Sequence, residues 1–159
     1  MRLGFVLLIY IVGMSAASVS SIIQYDPIQT DFNITGTIKC HNAPQWCYTV
    51  QLLELDSTLN DVIGSVSGCE ITNPSQDFLL EDWQLFDGVF DGNFELELLI
   101  KHDCGLEITD EKQSLSLSFG HFSTARPSFE RIVEIDLSKN TTKIIGYSDW
   151  ERRLGKIPH

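Results

Sequence analysis

Three features of the sequence predict an all-β fold, an antiparallel β-sandwich of seven or eight short strands in one domain. Apolar and polar residues alternate in segment after segment, turn residues separate those segments, and no stretch holds a helical period. The clearest case follows the turn pair Asp91-Gly92. There Phe94, Leu96, Leu98, Ile100 and His102 alternate with Asn93, Glu95, Glu97, Leu99 and Lys101, which makes one face of a strand apolar and the other mostly polar. Residues 32–40 set Ile34, Gly36, Ile38 and Cys40 against Asn33, Thr35, Thr37 and Lys39, and His41-Asn42-Ala43-Pro44 turns the chain. Residues 47–55 carry Tyr48, Val50 and Leu52 on one face, with a register change near 53–55 that reads as a bulge. Residues 62–71 form a weaker strand softened by Gly64 and Gly68, and 78–86 fits either a short strand or a loop. The place for one short helix is 104–112, where Thr109 suits a cap and Glu111-Lys112 a first turn. Leu115, Leu117 and Phe119 alternate with serines and are closed by Gly120. Val133, Ile135 and Leu137 share the face of a strand over 129–137 that turns through Ser138-Lys139-Asn140 into 141–147.

The N-terminus predicts export. Arg2 precedes an apolar run over 3–14, and Ser15, Ala16 and Ala17 supply the small residues of a cleavage site, so 1–17 reads as a signal peptide. A membrane span needs about 20 apolar residues, which this run lacks, and later apolar runs are shorter still. No integral membrane segment is expected after cleavage. Removal of 1–17 leaves 142 of the 159 residues, enough for one domain over 18–147 followed by a polar tail over 148–159. Four cysteines in an exported chain favour two disulfides, for which three connectivities exist. Cys40 with Cys104 and Cys47 with Cys69 is preferred, because the second pair would join neighbouring strands across the 55–62 connection. Zinc is the rival reading, but no Cys-x-x-Cys occurs and His41 and His102 lack ligand spacing, so no metal is expected. Asn33-Ile34-Thr35 and Asn140-Thr141-Thr142 are acceptors for N-glycosylation in a secreted protein, whereas proline excludes Asn73-Pro74-Ser75.

A formal net charge of −11 argues against nucleic acid as a partner, since phosphate backbones demand concentrated positive charge. Arg152, Arg153 and Lys156 form a local basic cluster that reads as a solvated tail. Asp77, Glu81, Asp82, Asp87 and Asp91 do not match a calcium loop and read as a solvated acidic edge, and Glu95 and Glu97 read as edge protection. No Gly-rich phosphate cradle or nucleophile elbow is present, and no cofactor is expected. His102 falls on an inward position and is predicted to be a core histidine bonded to backbone. The acidic stretch 81–87 reads as loop-like yet holds Trp83, Leu85 and Phe86. These three, with Trp46 and Arg126, are the candidate binding residues.

Several of these segments together carry a family resemblance. Gly36-Thr37-Ile38-Lys39-Cys40, Tyr48-x-Val50-x-Leu52-x-Glu54, Asp91-Gly92-x-Phe94-x-Leu96, Ile100-x-His102-x-Cys104 and Glu134-Ile135-Asp136-Leu137 resemble, in order and spacing over about 35–137, the transthyretin-like family of nematodes. The resemblance implies a small secreted transthyretin-type sandwich in which Cys40 and Cys104 are the shared pair, while Cys47 and Cys69 are additions. The wider superfamily holds hydroxyisourate hydrolases and thyroid-hormone carriers, tetramers with a ligand channel between subunits. Those hydrolases use paired histidines, an arginine and a terminal Tyr-Arg-Gly-Ser, whereas this sequence closes on Lys156-Ile157-Pro158-His159. The expectation is therefore no enzyme, but an extracellular binding or signalling protein that meets a cell surface, a lipid or a protein. The alternatives are an oligomeric carrier of a small hydrophobic ligand and a divergent hydroxyisourate hydrolase. The sequence leaves the oligomeric state open.

Overall fold

A computed structural model describes residues 29–56, 59–85, 92–105 and 112–147. The expected signal peptide and polar tail, Phe86, and most of the segment proposed for a helix lie outside the described residues. Eight strands run in order: β1 (Thr30–Lys39), β2 (Gln45–Glu54), β3 (Asp61–Ile71), β4 (Ser75–Gln84), β5 (Asn93–His102), β6 (Gln113–Ser123), β7 (Ser128–Asp136) and β8 (Thr141–Tyr147). They form two four-stranded sheets, β4-β1-β7-β8 and β3-β2-β5-β6, and no helix occurs among the described residues.

Alternation decides which side chains fill the space between the sheets. Phe32, Ile34 and Ile38 from β1, Trp46, Tyr48, Val50 and Leu52 from β2, and Phe94, Leu96, Leu98 and Ile100 from β5 are all buried. Phe78 and Leu80 from β4 and Phe129, Val133 and Ile135 from β7 complete the core from the first sheet. The central strands β1, β7, β2 and β5 therefore supply most of the apolar contact, as they must in a two-layer domain. Five of the six strand ladders are antiparallel. The exception is β1 with β7, which pair in parallel from Asp31↔Ser128 to Lys39↔Asp136. A parallel pair needs a long crossover, and here five strands, including the whole second sheet, intervene between the partners.

Three local readings change. The segment that fitted strand or loop is the full edge strand β4, held to β1 over ten consecutive residue pairs. Gly120 does not close β6. It adopts φ +71° beside a register shift opposite Leu96 and Glu97, and the strand continues to Ser123. Glycine tolerates that backbone where other residues are strained, so it marks a bulge. Glu95 and Glu97 stand on β5, which is flanked by β2 and β6, so they do not guard an edge. The bulge expected near residues 53–55 is present as a register shift between Leu52 and Leu53.

Gly36 shows how closely the layers meet. It lies on the buried side of β1, where an added Cβ would stand 2.7 Å from Phe78 Cε1, Val133 Cγ2 and the Val133 carbonyl oxygen. Two of those atoms belong to packed side chains and the third to fixed backbone, so the added carbon has no easy relief. Gly36→Ala is expected to lower unfolding stability by about 1–3 kcal/mol, read by chemical denaturation of the refolded chain. Unchanged stability would contradict this packing.

Candidate functional site

The sandwich has two unlike ends. At one, β1 runs out at Lys39, β5 at His102 and β7 at Asp136, while β2, β4, β6 and β8 begin. Both disulfides lie there. Cys40–Cys104 joins the exit of β1 in one sheet to the exit of β5 in the other, and both residues are buried. Cys47–Cys69 links directly opposed residues of β2 and β3 on the outer face of the second sheet, where Cys69 is exposed. Both expected pairings are thus present. Main-chain bonds add to the lacing: Cys40 N–H donates to Pro74 O at 2.8 Å, Leu137 N–H to Lys39 O at 2.9 Å and Thr72 N–H to Pro44 O at 2.7 Å.

Trp46 belongs to this end and to the core, not to a binding surface. It is 1% exposed, its indole Nε1–H donates to Asn73 O at 3.0 Å, and its ring lies 5.6 Å from that of Tyr48. Two-residue periodicity places it on the same face as Tyr48, Val50 and Leu52, so burial follows from the strand register. His102 pairs across the ladders with Tyr48 and Gln113 and is fully buried. The expected bond to backbone is not made: neither ring nitrogen has a hydrogen-bond partner among the described residues. Desolvation lowers its pKa below the ordinary 6.5, partly opposed by the negative charge of Asp103. Asp103 is itself engaged, accepting from the Cys47 N–H at 2.6 Å.

The far end has no covalent tie among the described residues and is closed by aromatic rings. Phe32 meets Phe94 edge-on at 5.3 Å, and Phe129 meets Phe119 at 5.3 Å and Phe122 at 5.0 Å. Arg126 lies over the Phe122 ring at 5.3 Å, and Arg131 over Phe129 at 4.2 Å and Tyr147 at 4.9 Å. Such contacts hold a guanidinium against an apolar wall at little desolvation cost. The β6–β7 turn is fixed by Thr30 Oγ1–H donating to Arg126 O at 2.9 Å and Asp31 N–H to Pro127 O at 2.9 Å. Beside it Ala125, Arg126, Pro127 and Ser128 line a pocket of about 250 Å³.

This far end gathers most of the candidate binding residues. Trp83 and Leu85 arrive on and just beyond the last turn of β4, and Arg126 enters from the β6–β7 turn. Trp83 is on a strand rather than in a loop, and it is 54% exposed because it shares the outer parity of Leu79 and Glu81. With Asp31, Asn33, Glu81 and Asp82 it borders a groove of about 300 Å³. Sequence reading missed Leu59 and Val62. Both are largely exposed and stand at the same end, before and at the start of β3. Only the long-range placement of β3 beside β4 reveals them, with Gly64 against Leu80 and Asp82. Glu54, Asp56 and Asp61 bring carboxylate oxygens within 4.8 Å of one another there, adding negative potential to the apolar rim. Of the acidic residues singled out earlier, Asp77, Glu81 and Asp82 line the edge strand β4, and Asp77 accepts from Thr37 Oγ1 at 2.7 Å.

Comparison with known proteins gives a distant likeness. An uncharacterized protein of Caenorhabditis elegans is 32% identical over 76 residues, which cover 48% of this chain and 57% of the relative. The chain thus spans little more than half the length of the relative it matches. No protein-family profile and no solved structure matches. Among the described residues no helix is long and apolar enough to cross a membrane.

Two expected outcomes follow from the disulfide end. In the unfolded chain His102 takes a proton below about pH 6.5, and in the folded chain only at lower pH, so native stability falls as the pH drops below 6.5 and is untouched above it. The slope is at most about 1.4 kcal/mol per pH unit from this group, and His102→Leu should flatten it between pH 6.5 and 5, read from denaturation midpoints. An equal slope in both proteins would refute the assignment. Under limiting reductant the exposed Cys47–Cys69 should open before the buried Cys40–Cys104, because exchange needs access for an attacking thiolate. Alkylation followed by peptide mass mapping reads the order, and simultaneous labelling of all four thiols would contradict it.

Proposed function

We propose that the chain is a secreted, extracellular binding protein of transthyretin-like type that recognises a protein, lipid or cell surface without chemistry. The observation that carries this reading is the position of Leu59, Val62, Trp83, Leu85 and Arg126, from separate segments, at the end of the sandwich opposite the disulfides. Exposed apolar groups at one end of a strongly acidic chain cost solubility, and an interface recovers that cost. The pocket beside Arg126, about 250 Å³, lies below the usual range for small-molecule sites and suits one anchoring side chain of a partner. Two disulfides support passage through an oxidising compartment, and the cross-sheet bond lies where the family resemblance put it.

With Arg126 set on Phe122 and the β6–β7 turn pinned to β1, the surface is largely pre-organised. Binding then loses little entropy in ordering loops, which favours affinity from a small area.

The mature chain, immobilised, is expected to capture a specific species from extracellular fluid. The double variant Leu85→Ser, Arg126→Ser should lose about 1–3 kcal/mol of that affinity, roughly tenfold or more, while keeping the wild-type melting temperature. Equal capture by both proteins would overturn the assignment of this end. A native mass showing a tetramer with an apolar molecule inside would replace the reading with the carrier.

A further inference from the structure

We propose that Asn33 is an N-glycosylation site and that the first sugars of its glycan cover the apolar row Leu79 and Ile132 on the outer face of the sheet β4-β1-β7-β8. The proposal rests on the extracellular reading above, since the modification requires passage through the secretory route.

The outer face of this sheet is ordered in rows by strand register. One row is Asp77, Thr37, Glu134 and Lys143, with Thr37 bonded to Asp77 and Lys39, one row further on, paired with Glu134. That is ordinary solvated surface. The next row is Leu79, Thr35 and Ile132, and both large residues are nearly half exposed, with Ile145 of β8 also open to solvent. Apolar side chains of this size in one row of a water-facing sheet, with only Thr35 between them, form an exposed apolar strip. Together with Thr37, Asp77 and Thr35 they border a groove of about 440 Å³.

Asn33 stands one row beyond, between Glu81 of β4 and Glu130 of β7, on the same outer parity. Leu79 and Ile132 are therefore its diagonal neighbours across the two ladders, within reach of a group attached to the amide. Thr35, the hydroxyl residue of the acceptor tripeptide, lies in the apolar row itself. In the modification, Asn33 Nδ2 forms a bond to the anomeric carbon of an N-acetylhexosamine carried on a lipid diphosphate. The carbon–oxygen bond to the diphosphate breaks, the diphosphate leaves with the electron pair, and one amide proton is released to a base. The N–H that remains can still donate to Glu81 Oε1, the partner of Nδ2 at 3.4 Å. Tethering holds the sugar over the groove at high effective concentration, so weak contacts of its apolar face with Leu79 and Ile132 suffice. The Asp77 carboxylate and the Thr37 oxygen at the border offer acceptors to sugar hydroxyls.

The other acceptor makes an internal control. Asn140 occupies the β7–β8 turn with φ +54°, at the disulfide end and away from this face. The full chain secreted from eukaryotic cells should carry glycan on Asn33 by peptide mass mapping. Enzymatic removal of glycans from the folded protein should raise the fluorescence of a neutral apolar dye about twofold or more, and Asn33→Gln should give the same rise. Adding Leu79→Ser and Ile132→Ser to Asn33→Gln should abolish the rise, with far-ultraviolet circular dichroism unchanged. Secreted protein with glycan on Asn140 and a bare Asn33 would overturn this proposal and leave the extracellular reading standing. Modified Asn33 whose deglycosylation leaves dye binding unchanged would overturn the covering of Leu79 and Ile132. Retention of the chain inside the cell would overturn the extracellular reading and this proposal with it.

Discussion

Cys40 follows the last residue of β1 in one sheet and Cys104 follows the exit of β5 in the other, so a single sulfur–sulfur bond spans the core where the two layers would otherwise part. The sequence separation it closes is 64 residues, and restricting the unfolded chain over a loop of that size contributes about 4 kcal/mol in the chain-entropy account. For a small domain whose whole stability is about 5–15 kcal/mol, that is a large share. The bond also sets relative register. Once the ends of β1 and β5 are joined, Phe32 and Phe94 are brought opposite one another at the far end, where their rings meet at 5.3 Å.

The opposed ends follow from that choice. Covalent and main-chain ties gather where Trp46, Tyr48 and His102 are sealed in, and this end tolerates a buried imidazole that has no hydrogen-bond partner among the described residues. The far end relies on phenylalanine edges and guanidinium–ring contacts, which pack firmly but leave side chains at the rim free to differ without breaking the fold.

Alternation makes much of this legible in the sequence. The faces of β1, β2, β5 and β7 are readable directly from Ile34 to Ile38, Tyr48 to Leu52, Phe94 to His102 and Val133 to Leu137, because each has one face in water or against little else. Trp46 was also within reach, two residues before Tyr48 in the same register. Strand β4 was not, because Leu79 and Trp83 are apolar on the exposed face, so the period-two signal cancels. The same cancellation hid the outer row of the first sheet. The rim residues Leu59 and Val62 carry no local signal at all. Their meaning arises only from the placement of β3 against β4, a non-local fact that short windows cannot hold. Glycine weakens a strand and so suggests a stop at Gly120, whereas its left-handed backbone serves a bulge within the strand.

The nested order of the bridges has a consequence for how the molecule withstands a protease. Cys40 and Cys104 enclose Cys47 and Cys69 in the chain, so hydrolysis of any one peptide bond between positions 40 and 104 leaves two pieces that sulfur still joins. A cut beside the exposed Leu59 is doubly secured, since both cystines then straddle it. The polypeptide can thus be nicked beside Leu59 and remain one particle, separable into fragments only after reduction.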